Sequence, residues 1–163
     1  MHIRALLRSL RRAERGAALV EAAIILPIFV TLVGGVYEFG YFLYKVQLVT
    51  SGVTDAARYL ALSADPTDVT SQTAAKNLAV TGSISGGESR VSGWSTSDIA
   101  VTVNSVDNST GTYSGGSSIQ LVTVSTSFPD LAIGFLPLLG IRTPTITASH
   151  QERYLGGSAS EQG

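Results

Sequence analysis

One carboxylate stands inside a long apolar run. From Ala17 to Tyr37 the chain reads AALVEAAIILPIFVTLVGGVY, and Glu21 is its single ionisable side chain. Near a bilayer centre such a group costs about 2.5–3.5 kcal/mol, and less toward an interface. Two readings of Glu21 are open. In the first, it lies in the opening turns of a helix, snorkels to the surface and favours the positive end of the helix dipole. The second uses spacing: Glu21 is the fifth residue after Gly16, which closes a basic head. A peptidase cutting between Gly16 and Ala17 would create a positively charged amino group on Ala17. That group could partner the Glu21 carboxylate, within its chain or across to a neighbouring subunit. A costly charge would then serve assembly and register.

Other chemistries find little material. The chain has no cysteine and two histidines, His2 and His150, which excludes a disulfide scaffold or a zinc-held module. His150, alone in a polar segment, reads as a surface residue. No serine sits in a nucleophile elbow, and no glycine-rich phosphate loop is present. The acids are scattered without the spacing of a calcium loop. Asn108-Ser109-Thr110 matches a glycosylation sequon, a three-residue pattern that arises by chance. The expectation is a protein that is not an enzyme, with no cofactor and no metal.

The elements that position Glu21 follow from charge and hydropathy. Lys and Arg number 11 and Asp and Glu 12, a net charge of −1 over 163 residues. Five arginines (Arg4, Arg8, Arg11, Arg12 and Arg15) fall in the first fifteen positions, beside Glu14 alone. A basic head therefore precedes an acidic body, the wrong distribution for a nucleic-acid binder. The apolar run after it is long enough to cross a hydrocarbon core of about 30 Å. The basic flank places the N-terminus in the cytoplasm and everything after about Tyr44 outside. Tyr37, Phe39, Tyr41, Phe42 and Tyr44 cluster at the outer end, where aromatic rings suit a membrane–water interface. A removable secretory signal fits less well, since VGGVYEFG offers no small-residue cleavage site. Arg11-Arg12 matches little else of a twin-arginine signal.

These residues resemble a family. Basic leader, Gly at the cut, apolar helix and Glu five residues on look like the processing site of type IV-type prepilins. More narrowly, Arg15-Gly16, Val20-Glu21, Ala23, Pro27, Glu38-x-Gly40 and Ala56-Ala57-Arg58-Tyr59 resemble the TadE-like family, minor pseudopilins of tight-adherence (Flp/Tad) pilus systems in bacteria. The resemblance covers about 17–62, with a looser likeness in ITASHQERYL near the end; Ala22 stands where relatives usually carry an aromatic. It implies a prepilin peptidase, other pilins, assembly-platform proteins and membrane lipid as partners, with no nucleic acid. It also implies insertion in the bacterial inner membrane with a periplasmic C-terminal domain. Gly16 and Ala17 would form the processing site, and Glu21 the recognition and assembly determinant. The alternative is an unprocessed single-pass anchor carrying a periplasmic or surface binding domain.

The expected fold is α+β and pilin-like, a long N-terminal transmembrane helix packed on a small antiparallel sheet. It divides into a leader (1–16), a long helix (17–62, spanning the membrane over 17–37) and a periplasmic domain (63–163). Pro27 forfeits the hydrogen bond to the Ala23 carbonyl and should kink or loosen the helix. Val46, Val49, Val53, Ala57 and Leu60 form an apolar stripe, with Lys45, Gln47, Thr50, Thr54, Asp55 and Arg58 on the other faces. Asp65-Pro66-Thr67-Asp68 predicts a second helix with Pro at its first position, stopped by Gly82. Alternation over Ile99–Asn104 and Ile119–Val124 predicts two strands around a loop at Asp107–Gly116, and Thr145–Tyr154 a third. The apolar run Leu131–Ile141 is either a loop folded over the helix stripe or an exposed patch for a partner.

Overall fold

The computed structural model describes residues 3–113, 116–130, 140 and 144–156, with side chains from Gly16 onward. Helix α1 (Ile3–Ala61) is 59 residues long, about 88 Å at 1.5 Å per residue. It is unbroken through Pro27, and the Thr31 hydroxyl donates to the Pro27 carbonyl at 2.7 Å. The hydroxyl thus occupies an acceptor in the turn beside the one that proline leaves short.

Among the described side chains of α1, those of its C-terminal part are the ones covered by the rest of the protein. Val49, Val53, Ala56, Ala57 and Leu60 are buried there at 0–1% exposure. They meet the sheet on one side and helix α2 (Val69–Thr81) on the other. Gly52 makes the helix crossing close: a Cβ at this position would lie 2.4 Å from the Ala79 carbonyl oxygen and 2.9 Å from the Trp94 ring.

Helix α2 begins three residues later than the proline pattern predicts. Asp68 is its N-cap and accepts from the Ser71 amide at 3.0 Å. Asp65 instead accepts from the amide and hydroxyl of Thr67 at 2.7 and 2.6 Å, which turns Pro66 and Thr67 into the approach to the helix. Both acids meet the local rule for a cap, and the Asp65 carboxylate is spent on the Thr67 turn ahead of the helix while Asp68 caps it. Gly82 closes α2 as expected, in the left-handed conformation at φ 82°.

A single 3-10 turn (Thr96–Asp98) leads into strand β1 (Ile99–Asp107), followed by β2 (Ser118–Pro129) and β3 (Thr145–Arg153). They form an antiparallel sheet in the order β1-β2-β3. Register sets Val101 opposite Val124 and Val103 opposite Val122, while Phe128 faces Ile146. Because strand side chains alternate, this set lies on one face, which faces the core and meets α1 along β2 and β3, leaving Thr102, Thr123 and Gln151 in a row on the other. Trp94, 2% exposed, stacks on Phe128 at 5.9 Å and donates its indole N–H to the Thr126 hydroxyl at 3.0 Å. The far end of β3 is tied back to α1: the Leu155 amide donates to the Ala61 carbonyl at 2.8 Å and the Tyr154 hydroxyl to the Ala64 carbonyl at 2.6 Å.

The architecture is therefore α+β, a long N-terminal helix on a small antiparallel sheet. Two polar residues differ from expectation. Lys45 is inside rather than on an outer face, 4% exposed and paired with the equally buried Asp130 at the end of β2. His150 is half-buried rather than a plain surface residue. Its Nε2 donates to the Glu152 carboxylate at 3.0 Å, on the side of the sheet that meets α1. Asn108 is 3% exposed and spends its amide on the Tyr113 and Gly116 carbonyls, so it organises the β1–β2 loop and is not presented for glycosylation. Apart from Gly140, the Leu131–Ile141 run lies outside the described residues.

Candidate membrane and assembly segment

The apolar stretch is not a core helix. The most apolar 18-residue window of α1 has a mean hydropathy of 2.3 and none of it is buried. Leu19, Ile24, Leu26, Phe29 and Leu32 are 61–72% exposed. Water does not stabilise that surface, since fully burying each such side chain is worth about 1.5–3 kcal/mol. By length and composition α1 can cross a membrane once, as a single-pass protein would.

Gly16, Ala17 and Glu21 all stand exposed on this helix. Five residues of rise separate Gly16 from Glu21, about 7.5 Å along the axis. Ala18, Ala22 and Ile25 flank Glu21 and line the same shallow apolar surface, on which no basic side chain stands among the described residues. The peptide bond between Gly16 and Ala17 lies inside α1. Its nitrogen is an ordinary helix amide, and it gains charge only when the chain is cut. A Cβ at Gly16 would meet nothing within 4 Å, so this glycine is not demanded by packing. Pro27 lies farther along the same helix and does not join these three.

At the other end of the exposed stretch α1 meets the domain through charges. Lys45 and Asp130 form an ion pair with side chains 5% and 3% exposed, and the Lys45 ammonium lies 4.8 Å from the centre of the Tyr41 ring. Glu38, two turns before Lys45, is also buried, at 4% exposure. The Asp130 amide donates to the Pro144 carbonyl at 2.9 Å, which brings together the two ends of the segment between β2 and β3. Higher on the helix Arg58 lies 3.4 Å from the Glu152 carboxylate. The hydrogen bond from His150 and then that from Arg58 hold this carboxyl below its ordinary range. Among the described residues no group of three or more His, Cys, Asp or Glu is placed to hold a metal ion.

Gly16, Ala17, Glu21 and Pro27, the residues singled out from the sequence, all lie on α1, whereas the Lys45–Asp130 pair was not anticipated. The one available signal was a lysine on the apolar side of a helix, at the spacing of Val49 and Val53. Comparison with curated proteins and with solved structures gives no match. Residues 16–58, from the glycine before the apolar run to the arginine beside Glu152, match the family model described as TadE-like protein.

Proposed function

We propose that the chain is a minor pseudopilin of a tight-adherence (Flp/Tad) pilus. It is inserted in the bacterial inner membrane with its N-terminus cytoplasmic and its domain periplasmic, and cut after Gly16 by a prepilin peptidase. The observation that carries this reading is the family match over 16–58, which begins at Gly16 and takes in Glu21, the exposed apolar helix and its junction with the domain. The five arginines ahead of the cut set the orientation. Cleavage must first unwind the helix around Gly16, and glycine, about 1 kcal/mol worse than alanine in a helix, makes that position the easiest to open. After cleavage the Ala17 ammonium offers Glu21 a partner in a medium where an unpaired carboxylate is costly. The domain then docks on other pilins or on the assembly platform, a structural role and not a catalytic one.

A second reading, an unprocessed single-pass anchor with a periplasmic binding domain, draws on the continuity of α1 through Gly16 and Ala17. Gly16→Val and Glu21→Val separate the two. Neither position is packed against other residues, so both variants leave the domain intact. The pseudopilin reading expects loss of piliation and surface adhesion in cells producing either variant at normal levels. Unchanged piliation in both variants removes the proposed roles.

A further inference from the structure

Between Val36 and Tyr44 the polarity of α1 is inverted. The side chains turned toward the domain include Glu38 and, one residue past the segment, Lys45, each 4% exposed. Those turned away are Val36, Tyr37, Phe39, Tyr41, Leu43 and Tyr44, at 40–67% exposure. A helix at a water-facing surface has the opposite arrangement. Farther along, the outward positions become polar, with Gln47, Thr50 and Ser51 exposed.

Two quantities identify what surrounds this segment. The outward apolar band runs from Ala17 to Tyr44, about 42 Å of helix. That exceeds the ~30 Å hydrocarbon core and equals the ~40–45 Å of a bilayer with its headgroup layers. At 100° per residue, the six outward positions sweep about 200° of the helix circumference, twice the ~100° stripe of a helix lying on one neighbour. A partner helix would cover one stripe; a lipid layer covers the whole arc. The rings suit the same layer, since tyrosine has an apolar body and a polar tip.

We propose that the base of the domain is seated within the outer headgroup layer of the membrane that α1 crosses, with the Val36–Tyr44 arc in contact with lipid. Burial of Lys45 against Asp130, and of Glu38 on the same side, then keeps charge off the lipid-facing arc. No spacer separates the domain from the bilayer, so span and domain move as one body. This inference rests on the reading of α1 as a membrane span.

The chain has no cysteine, so single nitroxide labels can be placed cleanly. The full chain is labelled at Ile28, Phe39, Leu43, Tyr44 or Thr54, one site at a time, and reconstituted in phosphatidylcholine–phosphatidylglycerol vesicles. Accessibility to oxygen and to a water-soluble nickel chelate reports depth. The expected order is Ile28 deepest, Phe39, Leu43 and Tyr44 at headgroup depth on both sides of the arc, and Thr54 in water. Phe39, Leu43 and Tyr44 as open to nickel as Thr54, with Ile28 deep, would overturn the seating while leaving the span intact. Ile28 as open as Thr54 would overturn the span and the seating together. Labels at the three arc positions closed to both reagents until the protein is diluted in lipid would show a protein neighbour and also overturn the proposal.

Discussion

Removing the Lys45 ammonium while keeping its length, as in Lys45→Met, leaves the Asp130 carboxylate 3% exposed with its charge partner gone. Breaking a buried pair from one side costs about 3–5 kcal/mol, because the remaining charge stays desolvated. A domain of this size has a total stability of about 5–15 kcal/mol, so the single variant is strongly destabilised. Replacing both partners, Lys45→Met with Asp130→Leu, removes the stranded charge and recovers most of the loss. The expected double-mutant coupling is therefore of the same order as the single loss, where independent sites agree within about 0.3–0.5 kcal/mol. Trp94 is the sole tryptophan and 2% exposed, so its emission follows unfolding of the core in urea with the full chain in detergent micelles. Should Lys45→Met cost less than about 1 kcal/mol, the range of an exposed pair, the pair does not hold helix to sheet. Additive losses in the double variant refute the reasoning as well.

Three further outcomes are expected. Gly52→Ala gains about 1 kcal/mol of helix propensity but places a methyl 2.4 Å from the Ala79 carbonyl, so α2 must move; overpacking of this kind costs about 1–3 kcal/mol and a net loss should appear as a lower urea midpoint. Leu60→Ala, at 0% exposure, should cost about 2–5 kcal/mol by the same assay. The Glu152 carboxyl is held below its ordinary value of 4.5, first by His150 and then by Arg58. A depressed carboxyl stabilises the fold above its unfolded value, and that contribution is lost as pH falls through its folded value; Glu152→Gln should flatten the decline of the melting temperature below about pH 4.5, and an unchanged slope would count against the contact.

The elements whose pattern is local were legible. Val49, Val53, Ala57 and Leu60 carry a helical period, and they are the buried stripe of α1. The alternation from Ile99 to Asn104 continues as β1, and Gly82 stops α2 where a left-handed residue is needed. The α2 start was misread because Asp65 and Asp68 both satisfy the local rule for a cap, and Pro66 favoured the wrong one. Lys45 was misplaced for a different reason: its partner lies 85 residues away, and no periodicity within α1 carries that information. Trp94 is similar. It sits in a serine- and glycine-rich stretch without periodicity, and it becomes core only because Phe128 and Thr126 arrive from β2. Gly16 and Glu21 stand out in the sequence because the pattern they form is a spacing along one segment, not a set of contacts made by folding, and the roles proposed for them rest on that spacing.

Cleavage after Gly16 is the step from which the proposed assembly role follows, and intact mass of the protein from its native cells reads it directly. The account predicts a mature chain starting at Ala17, lacking Met1–Gly16 and all five leader arginines. Its net charge would be about −5, where the full sequence carries −1. A mass that retains Met1–Gly16, in cells whose prepilin peptidase demonstrably cuts a major pilin, would contradict it.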